Sequence, residues 1–169
     1  LYNGLGMQGM NPVALMLYGG SNNTNTIRLS GAITLTYEPA KWLSLQGMLA
    51  PRYTTTNRHN WKKPVTTYQD YKGTSTLTSA SYATLTESGS RAFYGNYNFL
   101  ATFKHNFSGH DLKLILGAER NTYDYKYLMA YRQVFNYNYD QIDVGEIDNM
   151  DNSGRRYEWA IQSCLLYTS

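Results

Sequence analysis

The residues best equipped for chemistry in this chain are aromatic. Trp61, Tyr68, Tyr71, Tyr131, Phe135, Tyr137 and Tyr139 stand in two polar stretches, 56–90 and 128–156, among Asn and Asp side chains. Flat rings beside amides and carboxylates can stack on a sugar ring and bond its hydroxyls. The same rings can equally pack one loop against another. A pocket recruits only a few residues from any loop, so contact with a ligand is expected of some of these, not all.

Other chemistries find less support. Asp140, Asp143, Glu146, Asp148 and Asp151 carry the oxygen ligands that calcium takes. They lack the spaced Asp and central Gly of a known loop, so a solvated acidic stretch is expected. His59, His105 and His110 have no ligand spacing, and no Cys or Glu-x-x-His accompanies them, so no metal is expected. Ser30, Ser44 and Ser163 lie outside any Gly-x-Ser-x-Gly turn, so no nucleophile is indicated. No catalytic residue and no cofactor is assigned. A net charge of +3 is too weak to argue for nucleic acid. Cys164 is the single cysteine, which excludes an internal disulfide.

Alternation defines the elements that must position these groups. In 91–107, Phe93, Tyr97, Phe99, Phe103 and Phe107 share one parity. Tyr94, Asn96, Asn98, Thr102, Lys104 and Asn106 share the other, with Leu100 as the exception. In 112–127, Leu112, Leu114, Leu116 and Ala118 oppose Lys113, Gly117, Glu119 and Asn121. Period-2 patterning on both sides of Ser108-Gly109-His110-Asp111 predicts a β-hairpin. Its arms exceed the ~5–6 residues usual in globular sheets.

A second hairpin is predicted from 25–37 and 43–55, with Glu38-Pro39-Ala40-Lys41 breaking the ladder between them. A fifth strand is expected over 157–163, where Tyr157, Trp159 and Ile161 alternate with polar or small residues. Asn11-Pro12 can start a short helix through Met16.

No apolar run reaches the ~18 residues of a membrane helix. Mean hydropathy is −0.51, which looks soluble but also suits barrel strands, half of whose residues are polar. The chain opens at Leu1, which suggests a cut end. Short turns (38–42, 108–111) alternate with long loops (56–90, 128–156), as in barrels with short periplasmic turns and long extracellular loops. The expected fold is all-β, an antiparallel meander of about five long strands. Leu29, Ile33, Leu35, Leu45, Leu49, Phe99, Phe103, Leu114 and Leu116 would face lipid. Tyr37, Trp42 and Phe107 would sit at the periplasmic aromatic girdle. Arg28, Arg52, Lys104, Lys113 and Glu119 belong to polar faces, and Arg120 must lie above the hydrocarbon.

The order of motifs resembles the SusC/RagA-type TonB-dependent outer-membrane transporters of Bacteroidetes-like bacteria. The likeness rests on Asn11-Pro12-Val13-Ala14, Leu29–Pro39, Trp42-Leu43-Ser44-Leu45 and Tyr97-Asn98-Phe99, then on His110–Arg120 and Glu158–Ser163. It implies a partial sector of a transmembrane β-barrel of about 22 strands. It also implies import of a glycan or peptide substrate rather than catalysis. The implied partners are a SusD-like surface lipoprotein, outer membrane lipid, and TonB through a plug region that is not visible here. The loop aromatics would then meet substrate or pack under the lipoprotein lid. Residues 1–163 read as barrel wall. Cys164-Leu-Leu-Tyr-Thr-Ser169 departs from the family pattern and is expected to be a non-native tail. Two other readings stay open: a passive porin-like or adhesin barrel, and a soluble carbohydrate-binding β-sandwich. A hydrolase has almost no residue support.

Overall fold

The structure, a computed structural model, describes residues 10–69, 72–107, 109–135 and 139–168. Its elements in chain order are α1 (Pro12–Tyr18), β1 (Gly20–Ser30), β2 (Ile33–Ala40), β3 (Leu43–Lys62), β4 (Thr66–Tyr68) and β5 (Thr76–Thr78). There follow β6 (Thr84–Phe107), β7 (His110–Gln133), a 3-10 turn (Ile142–Val144) and β8 (Glu146–Thr168). Asn11 starts α1 as the Asn-Pro pair predicts. Its side-chain oxygen accepts from the backbone N–H groups of Val13 (2.9 Å) and Ala14 (3.4 Å), and Pro12 needs no partner for a donor it lacks.

The main sheet is an antiparallel meander in the order β1-β3-β6-β7-β8, with β2 also paired to β3. The order is the one the alternation predicts. Three boundaries differ from the sequence reading. The strand expected at 25–37 begins at Gly20 and is interrupted at Gly31-Ala32. The register Ile33↔Leu49 sets Gly31 opposite Pro51. The Gly31 N–H donates to the Pro51 carbonyl (3.2 Å), but Pro51 has no N–H to return the bond, so the ladder breaks there. Pro39 does not end the strand. β2 continues to Ala40, and a register irregularity between Tyr37 and Ala40 absorbs the proline. The turn shrinks to Lys41-Trp42.

The third difference is the largest. Much of the stretches read as loop is strand: β3 runs on to Lys62, β7 extends to Gln133 and β8 begins at Glu146, while β6 starts at Thr84, within the stretch 74–90 whose weak alternation of Leu77, Tyr82 and Leu85 allows a strand. The connections are therefore 63–83, holding the β4–β5 ladder, and 134–145, holding the 3-10 turn. These strand extensions carry scattered apolar residues, Trp61, Leu85, Leu128, Ile147 and Met150 among them, without the sustained alternation that announces a face. The short turns stay short: Gly109, at φ +85°, supplies the left-handed residue between β6 and β7.

The chain divides into two compact units. One comprises Leu1–Asn25, Thr56–Ser90 and Tyr127–Gly154; the other comprises Thr26–Thr55, Arg91–Lys126 and Arg155–Ser169. The first has a small core of Ala14, Trp61, Val65 and Leu85, with Thr67 buried beside them. Trp61 meets Phe135 edge-on, with centroids 4.6 Å apart. The Thr67 hydroxyl lies 3.2 Å from the Met10 sulfur and 3.4 Å from the Leu77 carbonyl. Lys63 N–H donates to the Gly19 carbonyl (2.9 Å). Next to it Gly20, at φ +108°, passes so close that a Cβ would stand 2.0 Å from the Trp61 carbonyl oxygen.

The second unit contains none of the buried apolar side chains found among the described residues. Its apolar parity is open: Leu29 (64% exposed), Ile33, Leu35 (73%), Phe99 and Leu116 all stand in solvent-accessible positions.

Candidate functional site

Both faces of the second unit can be assigned from contacts. Ile33↔Leu49, Leu35↔Gly47 and Tyr37↔Leu45 put the odd residues of β2 and β3 on one face. Arg52 lies over the Tyr94 ring, 6.0 Å from its centroid, so the even residues of β3 and β6 share the other. Tyr94 bonds Asn121, which adds the odd residues of β7 to that second face.

The second face carries a continuous hydrogen-bonded ladder. The Tyr94 hydroxyl donates to Asn121 Oδ1 (2.8 Å), and Asn96 Nδ2 donates to both Asn121 Oδ1 (2.6 Å) and Glu119 Oε1 (2.9 Å). Asn121 Nδ2 donates to Glu119 Oε1 (2.8 Å), and Asn98 Nδ2 donates to Asn96 Oδ1 (2.8 Å). Alternation places these polar side chains together, and the β6–β7 pairing brings them within reach. Among the described residues Glu119 has no cationic partner. Its charge is carried by amide donors alone, which leaves it able to receive a further donor.

An aromatic cluster continues the same face. Trp159 packs edgewise on Tyr94 (6.4 Å between centroids) and stacks on Tyr123 (5.6 Å, 24° between planes). Tyr157 lies 5.8 Å from Tyr123 and 4.9 Å from Tyr125. Lower on this face Leu100, the odd residue out in the alternation, has company. Met48, Leu100, Gly117 and Leu165 line an open cavity of about 470 Å³ with Gln46, Asn98 and Glu119. A Cβ at Gly117 would touch Leu165 and Leu100 at 3.4 and 3.5 Å.

The opposite face is apolar up to Ala118 on β7 and becomes charged above it. Gly95 sits beside Thr122, whose hydroxyl faces the Gly95 carbonyl at 3.4 Å, and the Tyr97 ring lies over the space a Cβ would fill. Thr122 shares its parity with Arg120 and Asp124. Arg156 bonds Glu158 and lies 3.9 Å from Asp124. Arg120 therefore stands at the first charged position past the row Leu112, Leu114, Leu116 and Ala118.

The residues singled out in sequence fall in the first unit. Trp61 is buried against Phe135, so these two rings hold each other. Tyr131 donates to Gln133 Oε1 (3.2 Å). Tyr68 (45%) and Tyr139 (64%) are exposed. Tyr71 and Tyr137 lie outside the described residues. The structure brings Trp61 to Phe135 and forms no single cluster from the described members of the set. The residues it does gather on one face, Tyr123, Tyr125, Tyr157 and Trp159 beside the amide ladder, were not among those singled out. Their signal in sequence is the i, i+2 pairing of Tyr123 with Tyr125 and of Tyr157 with Trp159. The arrangement offers rings, amides, a carboxylate and a guanidinium for noncovalent contact.

No protein-family profile matches the sequence, and no curated protein is similar enough to count as a relative. Solved structures do match. The RagAB peptide importer in its "closed-closed" state aligns over 88% of this chain at a TM-score of 0.75 and 17% identity. The RagAB peptide transporter aligns over 90% at 0.76, and the "open-open" importer over 90% at 0.73, each at 17% identity. The chain covers 16% of the length of each. The fold is thus that of a sector of these transport-complex chains.

Proposed function

We propose that this chain is a sector of the barrel wall of a SusC/RagA-type TonB-dependent transporter in a bacterial outer membrane. The observation that carries the reading is the two-faced sheet of the second unit. One face is apolar and exposed over β2, β3, β6 and β7 up to Ala118, the other carries the hydrogen-bonded polar ladder and its aromatic cluster, and the whole is folded like the transporter chains. A soluble sandwich would cover the apolar face with a second sheet. In a barrel wall that face meets lipid, and the ladder of Tyr94, Asn96, Glu119 and Asn121 lines the lumen.

The turns at Lys41-Trp42 and Gly109 then face the periplasm, and the connections 63–83 and 134–145 face outward. Tyr68 and Tyr139, with Tyr82, are exposed aromatics of these connections, available to a glycan or peptide substrate or to a SusD-like lipoprotein lid. Trp61 is buried and packs on Phe135. Residues 1–163 follow the family pattern, and 164–169 lie outside it. The plug and its TonB contact belong to other parts of a longer protein. The barrel sector itself performs no catalysis. It shapes a path, and the energy for import enters through TonB.

Uptake by cells carrying the full-length protein tests the reading. Import of labelled oligopeptides or oligosaccharides should depend on both this protein and TonB. Uptake that continues unchanged without TonB would replace the reading with a passive porin.

A further inference from the structure

The apolar face of the second unit ends in a row of cations. Gly95 and Thr122 stand side by side on that face, where a Cβ on Gly95 would lie 2.7 Å from the Thr122 hydroxyl oxygen. Followed away from the β6–β7 turn, the same antiparallel pairing sets Arg91 of β6 opposite Lys126 of β7, on the same parity. The ring pairs Tyr123–Trp159 and Tyr125–Tyr157 register β8 on β7, and the next position sets Arg156 opposite Lys126. Arg91, Lys126 and Arg156 thus lie across three neighbouring strands. Arg120 shares their face, between this row and Ala118.

All four side chains are exposed. Among the described residues, Arg91, Arg120 and Lys126 make no side-chain hydrogen bond or ion pair. Arg156 bonds Glu158 and lies 3.9 Å from Asp124, and these are the carboxylates that flank the row. Four cations therefore face two carboxylates, both gathered at Arg156. Like charges directly opposite on adjacent strands repel, and a bound anion relieves that repulsion. The exposed Leu116, Phe99 and Leu35 lie on the same face, below the cations. A free phosphate or a peptide carboxylate would neutralise the row and leave those side chains uncovered. A lipid with a phosphorylated headgroup answers both features at once. We propose that Arg91, Lys126 and Arg156, with Arg120 below them, hold the phosphates of such a lipid while its acyl chains cover the apolar face. Each guanidinium can offer paired N–H donors to phosphate, and Lys126 adds a compact charge. The proposal rests on the barrel-wall reading and adds to it the kind of lipid that the wall selects.

The melting midpoint of the full-length protein in an uncharged detergent reads this binding, because a ligand of the folded state raises it. The probes are diphosphoryl lipid A, the same lipid with its phosphates removed, and inorganic phosphate. The diphosphoryl lipid should raise the midpoint well beyond the shift given by either of the others. The triple variant Arg91→Gln, Lys126→Gln, Arg156→Gln should lose that difference. Arg91→Lys with Arg156→Lys should keep most of it, and so should Lys104→Gln with Lys113→Gln, which removes cations of the opposite face. Equal shifts from the two lipids would overturn the proposal, as would a difference that survives the triple variant. An equal shift from inorganic phosphate would overturn it too, since the acyl chains would then contribute nothing. Failure of the barrel-wall reading looks different: the full-length protein would stay monodisperse without detergent and respond to neither lipid.

Discussion

Trp61 is 6% exposed and abuts Phe135, so removing its ring opens a cavity in the small core of the first unit. Trp61→Ala should destabilise the full-length protein by about 3–5 kcal/mol. Tyr68→Ala and Tyr139→Ala remove exposed rings and should stay within about 0.5 kcal/mol of the parent. Urea unfolding in detergent measures the first effect. Substrate uptake measures the second, and should fall for Tyr68 or Tyr139 variants that keep parental stability. Equal stability loss at all three positions would erase the distinction between supporting and presenting rings. A second contrast concerns the exposed apolar face. Leu35→Arg places a charge where lipid is expected and should cost about 2–4 kcal/mol, whereas Thr34→Arg, on the opposite face, should cost far less. Strand propensity works in the other direction, because Thr is a good strand former and Thr34→Arg would lose it. Equal tolerance would show that the face does not meet lipid.

At the scale of elements, the orientation of the hairpins is open to chemical labelling. In a cysteine-free background of the full-length protein, Lys62→Cys at the end of β3 should react with a membrane-impermeant maleimide on intact cells. Ala40→Cys and Gly109→Cys, at the short turns, should react only after the outer membrane is breached. The reverse pattern would invert the topology. These turns, the five main strands and their order were legible because alternation, proline and glycine act locally. The Phe93–Phe107 parity and the Leu112–Ala118 parity each declare a face. Strand ends were not legible where sustained alternation fails. Thr56–Lys62 carries a single apolar residue, Trp61, and its pairing runs through the backbone, which leaves no mark on side-chain hydrophobicity. The break at Gly31 required knowing that Pro51 stands opposite, which is a register fact absent from either strand alone. The candidate site was half legible. Asn96, Glu119 and Asn121 could be put on polar faces. That Trp159 would join Tyr94 and Tyr123 depends on the β7–β8 register, and the loop aromatics drew attention because they stand in polar surroundings, not because they meet.

At the scale of the whole molecule, the distribution of burial decides what the chain can do alone. The first unit buries Ala14, Trp61, Val65 and Leu85, whereas the second buries no such side chain among its described residues. Its Leu, Ile and Phe row is exposed, and a contiguous apolar patch of that kind in water favours association. The meander also ends on β1 and β8, whose outer backbone groups are open to pair with another chain. Closing a barrel removes both edges, but the smallest such barrels need about eight strands. We therefore expect residues 1–169, produced alone in detergent-free buffer, to aggregate or to unfold without a cooperative transition. The same residues within the full-length protein in detergent or lipid should resist denaturant. Size-exclusion chromatography coupled to light scattering, with denaturant melts followed by circular dichroism, reads both outcomes. A soluble monomer with a single sharp transition would mean that the apolar face finds cover within these residues, and would favour a soluble carbohydrate-binding sandwich over a barrel wall.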